Sequence, residues 1–370
     1  MSGLVPRPGI LEIKPYKGGK SRLEEKSEAI KLSSNEGALG PSPKAMEAYR
    51  ALAPDLHRYP DGACADLRAA IGTRFGLDPA RIVCGAGSDE LLALLARAYA
   101  GPGDEILRSA HGFAMYAITA SGVGARPVAA PETDLTADVD ALLDCVTPRS
   151  RVLFLANPNN PTGSYIDEAA LRRLRAGLPD NVLLVIDAAY AEYVGRNDYT
   201  AGERLVDDHD NVVMTRTFSK LYALGGLRVG WAYCPEPVAD ILNRLRPPFN
   251  VTAPAQAAAI AALADTAHAE ATRAHNDRWL PWLAEKLTEC GLHAYPSVAN
   301  FLLVRFPGDG GRDAAAADRF LNARGIIARA VADYGLPDCL RITIGREEEN
   351  RAVAGALADF MVAGGGGTDD

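Results

Sequence analysis

An α/β fold with a largely parallel sheet, joined to a smaller α+β domain, is what the sequence predicts. Three observations carry this. Short apolar runs alternate with amphipathic helical stretches over roughly the first two-thirds of the chain, the rhythm of strand–helix–strand units. Pro247 and Pro248 interrupt that rhythm, and a long helix starts near Ala253. A second group of strands then follows. The length of 370 residues suits two domains at about 150 residues each.

In order, the large domain's expected strands are 81–84, 105–108, 151–155, 182–187, 211–215 and 228–233. Helical patterns lie between them at 88–100, 167–176 and 235–245. The later strands are expected at 300–306, 326–329 and 340–344. The domain plan is an N-terminal arm that contributes to the small domain (1–45), a large domain (46–246), a small C-terminal domain (247–363) and a flexible tail (364–370) reading GGGGTDD.

Composition excludes several classes. Hydrophobic residues make up 48% and charged residues 23%, enough apolar matter for a sizeable core. Lys and Arg total 39 against 47 Asp and Glu, a net charge of −8, so neither a nucleic acid nor a membrane surface is the expected partner. No apolar run reaches the roughly 18 residues of a spanning helix. The first ten residues lack the apolar core of a secretory signal, and a cytoplasmic location is expected. The six cysteines are scattered, with no C-x-x-C pair, and read as reduced thiols.

Familiar motifs fail on counting. The segment after strand 81–84 begins like a dinucleotide fingerprint, but Glu90 stands where the third glycine belongs. Gly19-Lys20-Ser21 ends like a P-loop, yet Lys14 occupies the first glycine position. The six histidines show no metal-ligand spacing, and no metal is expected.

Four segments carry unusual chemistry, each where an expected strand ends, the place open α/β sheets put ligands. In Gly85-Ala-Gly-Ser-Asp-Glu90 the glycines allow close backbone approach, and Ser88 opens a helix whose free N–H groups suit an anion. Asn157-Pro-Asn-Asn-Pro-Thr-Gly163 is a rigid turn that would hold an amide such as Asn160 at the sheet edge. An apolar strand ends in Asp187, a carboxylate that is costly to bury unless it meets a cation. Lys220 sits in a largely apolar stretch that continues through Gly225-Gly226 to Arg228; a desolvated lysine condenses readily with a carbonyl. An ordinary capped turn, a helix cap or a snorkelling lysine would explain each alone. Together they ask for one ligand with an anionic group for Ser88, Ser219 and Arg228, an aldehyde for Lys220 and a basic ring nitrogen for Asp187. Pyridoxal 5'-phosphate has all three.

Here the chain resembles the fold type I aminotransferases and, within them, the histidinol-phosphate aminotransferase family. The carrying segments are LSSNEGALGPSPKA (32–45), RYPDG (58–62), GAGSDELL (85–92), NPNNPTG (157–163), DAAY (187–190), TRTFSKLYALGGLRVGW (215–231), PFNVTAPAQAA (248–258), SVANFLL (297–303) and LRITIG (340–345). They follow one another in family order along almost the whole chain.

The resemblance implies a mostly parallel seven-stranded sheet between helices and roles for single residues. Lys220 would hold the cofactor aldehyde and shuttle the proton, and Asp187 would pair with the ring nitrogen. Asn160 and Tyr190 would hydrogen-bond the ring hydroxyl, and Phe113 would stack on the ring. Gly87, Ser88, Asp89, Ser219 and Arg228 would surround the phosphate, with Tyr59 reaching in from the second subunit of a homodimer with shared sites. Arg341 would bind the carboxylate of glutamate or 2-oxoglutarate, and Arg329 would help with the distal anion; Asn35 and Leu39 would complete the substrate site. The implied reaction is ping-pong amino transfer between glutamate and the phosphate ester precursor of histidinol phosphate. The family usually reads D-E-A-Y where this chain has Asp187-Ala-Ala-Tyr190, and many members carry a tyrosine where Leu39 stands. A less polar site at Leu39 makes an aromatic amino acid aminotransferase the alternative.

Overall fold

The computed structural model describes residues 4–23, 29–309 and 311–363; the tail expected over 364–370 lies outside the described residues. In chain order its strands are β1 (Ile30–Lys31), β2 (Ile82–Gly85), β3 (Glu105–Ser109), β4 (Arg126–Ala130), the hairpin β5 (Glu132–Thr133) and β6 (Thr136–Ala137), β7 (Ser150–Ala156), β8 (Leu183–Asp187), β9 (Val212–Thr217), β10 (Gly230–Tyr233), β11 (His293–Ala294), β12 (Phe301–Arg305), β13 (Ile326–Ile327), β14 (Arg329–Ala330) and β15 (Cys339–Thr343).

Seven of these strands form one sheet in the order β2-β10-β9-β8-β7-β3-β4. β10 runs antiparallel to both neighbours, and every other pair is parallel. β8, β9 and β10 are buried at every position, which requires helices on both faces. Side chains that alternate along a strand divide between those faces. Leu153, Leu155, Leu184 and Ile186 join one core cluster with Leu171 and Leu205. Val152, Phe154, Leu183 and Val185 join another with Leu91, Leu92 and Leu95 of the helix Ser88–Tyr99.

The smaller sheet is antiparallel, in the order β11-β12-β15-β14. It packs on the helices Thr266–Glu289, Ala314–Ala323 and Glu347–Ala363 through Leu302, Ile342, Leu283, Leu321 and Leu357. The arm reaches this domain, since β1 pairs in parallel with β13 and Leu32 enters the same core.

Four details differ from the sequence reading. β4 was not expected; it is an edge strand with Arg126 and Pro127 exposed, so it carries little apolar signal. The strand expected at 228–233 starts only at Gly230, because Arg228 has a left-handed backbone, φ 55. The segment 326–329 divides into β13, which pairs with β1, and β14, which pairs with β15. The fourth lies just beyond Pro248, in what the helix Ala253–Ala264 packs on. Val251, Ala255, Ala259 and Leu263 belong to the large domain's core, because the alanine-rich helix Ala253–Ala264 lies against Pro43–Ala51 and Ala65–Phe75. Small side chains permit that close packing, and the chain turns into the small domain only at Asp265, where the helix Thr266–Glu289 begins. Among the described residues no helix is long and apolar enough to cross a membrane.

Candidate active site

The carboxyl ends of β7, β8 and β9 and the start of the helix Ser88–Tyr99 converge on a cavity of about 350 Å³. Asp187, Tyr190, Asn160, Lys220, Ser88 and Arg341 all line it. Residues from Ser88 to Lys220 thus meet because parallel strands deliver their ends to one edge of the sheet, and Arg341 joins them from β15 of the smaller sheet.

Asp187 ends β8 and is 5% exposed. Its Oδ2 accepts a hydrogen bond from the Tyr116 hydroxyl at 2.8 Å, and Oδ1 accepts from Thr215 Oγ1 at 3.4 Å. Burial pushes its pKa up to about 6; the Tyr116 donor opposes that rise and the nearby Asp89 carboxylate adds to it. Lys220 lies on the loop after β9, and its Nζ donates to the Ser34 carbonyl at 3.4 Å. The same Nζ stands 5.5 Å from the centre of the Tyr190 ring. Tyr190 Oη accepts from Asn35 Nδ2 at 2.8 Å.

A second group forms an anion cradle. Gly87, with φ 85, precedes the first turn of the helix, and a Cβ there would stand 2.5 Å from Arg228 Nη2. A Cβ on Gly230 would stand 2.5 Å from the Ser88 nitrogen. Glycine at both positions is therefore what lets the guanidinium and β10 close on the helix terminus. Arg228 donates to Ser219 Oγ at 3.4 Å, to the Gly225 carbonyl at 3.1 Å and to Asp89 Oδ2 at 3.3 Å. Ser219 in turn accepts from Thr217 Oγ1 at 3.0 Å.

The third group lies at the domain junction. Arg341, on β15, is 5% exposed. Its Nη1 donates to Asn160 Oδ1 and its Nη2 to the Ser33 carbonyl at 2.8 Å, while its buried Nε has no partner among the described residues. Of the three asparagines in the 157–163 turn, only Asn160 faces the cavity. Asn157 is consumed by the Ile166 backbone and Asn159 bonds Thr162. Phe113 also lines the cavity, edge-on to Tyr16 and to Tyr116.

Three expected residues stand apart. Tyr59 is 83% exposed, outside the cavity of its own chain, and stacks on Phe249 at 4.7 Å. Leu39 does not line the cavity. Arg329 does not line it either; it is buried and donates to Asp333 Oδ2 at 2.6 Å. In the other direction, sequence reasoning missed Tyr116, which bonds Asp187, and Thr217 and the arm residues Tyr16, Gly18 and Gly19, which line the cavity. The Gly18-Gly19 pair was the available signal. A Cβ on Gly19 would stand 2.7 Å from the Ser33 carbonyl, so the arm lies flat on the segment beneath it.

With this geometry in place, residues 27–357 match the family model for class I and II aminotransferases. The chain belongs to that family, and its fold is fold type I. Two relatives are histidinol-phosphate aminotransferases. That of Paramagnetospirillum magneticum is 66% identical over 98% of this chain and 100% of its own length. That of Rhodospirillum centenum is 58% identical over 98% and 99%. The crystal structure of histidinol-phosphate aminotransferase from Sinorhizobium meliloti in complex with pyridoxal-5'-phosphate superposes with a TM-score of 0.87 at 30% identity, covering 98% of this chain and 99% of the other.

Proposed function

We propose that this aminotransferase moves an amino group between L-histidinol phosphate and 2-oxoglutarate, with pyridoxal phosphate as cofactor, in histidine biosynthesis. The carrying observation is the convergence of Lys220, Asp187, the Ser88–Arg228 cradle and Arg341 on one cavity. The relatives' shared name favours the phosphate ester over an aromatic amino acid.

The residues fit the cofactor. The glycine-lined cradle supplies a helix terminus and a guanidinium for a phosphate, with Ser88, Asp89 and Ser219 around it. Lys220 is the amine that would hold the aldehyde; Asp187 would face the ring nitrogen, Asn160 and Tyr190 the ring hydroxyl, and Phe113 the ring face. When bound, pyridoxal phosphate supplies an electron-withdrawing ring beside the substrate's Cα. Asp187 keeps a proton on the ring nitrogen, and burial gives its carboxylate the low dielectric in which that pairing is strong. Lys220 Nζ takes the proton from Cα and returns it. Arg341, with one fork nitrogen unpartnered, binds the substrate carboxylate. Asn35 positions Tyr190.

The working unit is a homodimer with shared sites. Leu56, Tyr59 and Phe249 leave an exposed apolar face whose groove reaches Arg228 of the cradle. A self-complementary partner would cover that face and bring its own Tyr59 to this cradle. The six cysteines are unpaired, as suits a reducing cytoplasm.

The test is turnover of purified enzyme with 2-oxoglutarate as acceptor, comparing histidinol phosphate with phenylalanine. A higher kcat/KM for histidinol phosphate is expected; preference for phenylalanine overturns the assignment.

A further inference from the structure

Tyr116 was assigned no role by the sequence, yet its hydroxyl is a closer donor to the Asp187 carboxylate than Thr215 Oγ1. It stands in the first turn of the helix Met115–Val123 and is 1% exposed. Its ring is fixed by stacking on Phe154, 5.0 Å between centres at 16°, and by the edge of Phe113 at 5.8 Å and 90°. The hydroxyl therefore has one place to go, and it donates to Asp187 Oδ2 at 2.8 Å. Thr215 Oγ1 is a longer donor to Oδ1, at 3.4 Å.

We propose that Tyr116 is the positioning residue for Asp187: it occupies Oδ2, leaves Oδ1 for the cofactor's ring nitrogen, and keeps the shared proton on that nitrogen. This rests on the ring-nitrogen role of Asp187. Competing basicities decide where the shared proton sits. A carboxylate that accepts a strong hydrogen bond is a weaker base than the same carboxylate without it. Facing the ring nitrogen, the weaker base leaves the proton on nitrogen and the ring electron-poor; the stronger base draws it away.

The surroundings reinforce the need for such a donor. Asp89 adds like charge, while Tyr190 and Lys220 line the same cavity and the Tyr199 phenol is buried nearby. Burial, followed by the charge of Asp187, holds the Tyr116 phenol well above its usual range, so it remains a neutral donor at every working pH.

The test begins with the apo chain, so that it reads the carboxyl and not turnover. The Asp187 carboxyl carbon is followed by NMR, its signal assigned by its loss in Asp187→Asn. In Tyr116→Phe, which removes only the hydroxyl, its pKa is expected to rise by about one pH unit. An unchanged value overturns the proposal. Should Tyr116→Phe fail to fold, 3-fluorotyrosine at position 116, a stronger donor, is expected to move the pKa down; no movement is equally fatal. In the holoenzyme, Tyr116→Phe should lower kcat about tenfold with little change in KM. A shifted carboxyl with normal kcat overturns the catalytic half. Normal turnover in Asp187→Asn would instead defeat the ring-nitrogen reading, which the apo titration does not touch.

Discussion

Asn160 and Arg341 are bonded side chain to side chain across the domain junction: Asn160 Oδ1, beyond β7, accepts from Arg341 Nη1 on β15. The guanidinium thus holds two acceptors already, Asn160 and the Ser33 carbonyl. The Asn160 bond ties the turn after β7 to β15 of the smaller sheet, and both of its side chains line the cavity.

Arg341→Lys keeps the charge and removes the planar fork. KM for glutamate and 2-oxoglutarate should rise by about tenfold or more, with a smaller change in kcat. Initial rates at varied acceptor concentration would measure it. An unaltered KM would place the carboxylate elsewhere.

Lys220→Ala should lose covalent attachment of the cofactor and about 10²–10⁴-fold in rate. Borohydride reduction of the wild-type enzyme should fix the cofactor to the peptide containing Lys220. Mass spectrometry decides this, and label on another lysine would refute the assignment.

Asp187 also marks the pH dependence of the apo protein. Its folded pKa is raised from 3.8 to about 6. A raised carboxyl favours the folded state below the unfolded pKa, and that advantage is lost as pH rises through the folded one. By pH 7 the buried charge costs about 3 kcal/mol. Apo Asp187→Asn should therefore melt above the wild type at pH 7.5, with the gap closing as pH falls from about 6 to about 4. Thermal melts across that range check the sign; a gap that widens on acidification would contradict it.

Mixing experiments address Tyr59. Lys220→Ala and Tyr59→Ala subunits are combined under conditions of proven exchange. In a dimer with shared sites, one heterodimer pocket has both residues intact, so activity should exceed that of either parent. No gain, or an active monomer, would show that Tyr59 serves only its own chain, where it stacks on Phe249.

The legible part of the site lay in segments where an apolar strand stops abruptly at a polar residue: Asp187 after β8, Asn160 after β7, and Ser219 and Lys220 after β9. Such endings violate the pattern of their surroundings, and a violated pattern can be read. Tyr116 was hidden for the opposite reason. A tyrosine in an apolar helix reads as core, and its ring is core; only the position of one oxygen beside Asp187 gives it a role. The strand 228–233 was begun two residues early because Arg228–Tyr233 reads as one continuous strand, whereas the left-handed Arg228 at its head aims the guanidinium at the cradle. The packing of the helix Ala253–Ala264 against Pro43–Ala51 and Ala65–Phe75 was not legible, because Pro247 and Pro248 mark a break in the chain but not which core the next helix joins. Leu39, Arg329 and Tyr59 were placed by resemblance alone.

The pairing of Ile30 with Ile326 has a consequence for how the molecule comes into being. Nearby, Asn35 N donates to Thr343 Oγ1 at 2.9 Å, and the Leu32 carbonyl accepts from Thr343 N at 2.9 Å. These are contacts of very long sequence separation, and they secure the residue that holds Tyr190. A nascent chain can complete the large sheet, whose last strand ends at Tyr233, long before residue 343 is made. The arm waits meanwhile without its partner strand. Catalytic competence should then arrive as a late, discrete event in synthesis, and pulse-labelled hydrogen exchange during refolding should protect β7–β9 before Ile30 and Lys31.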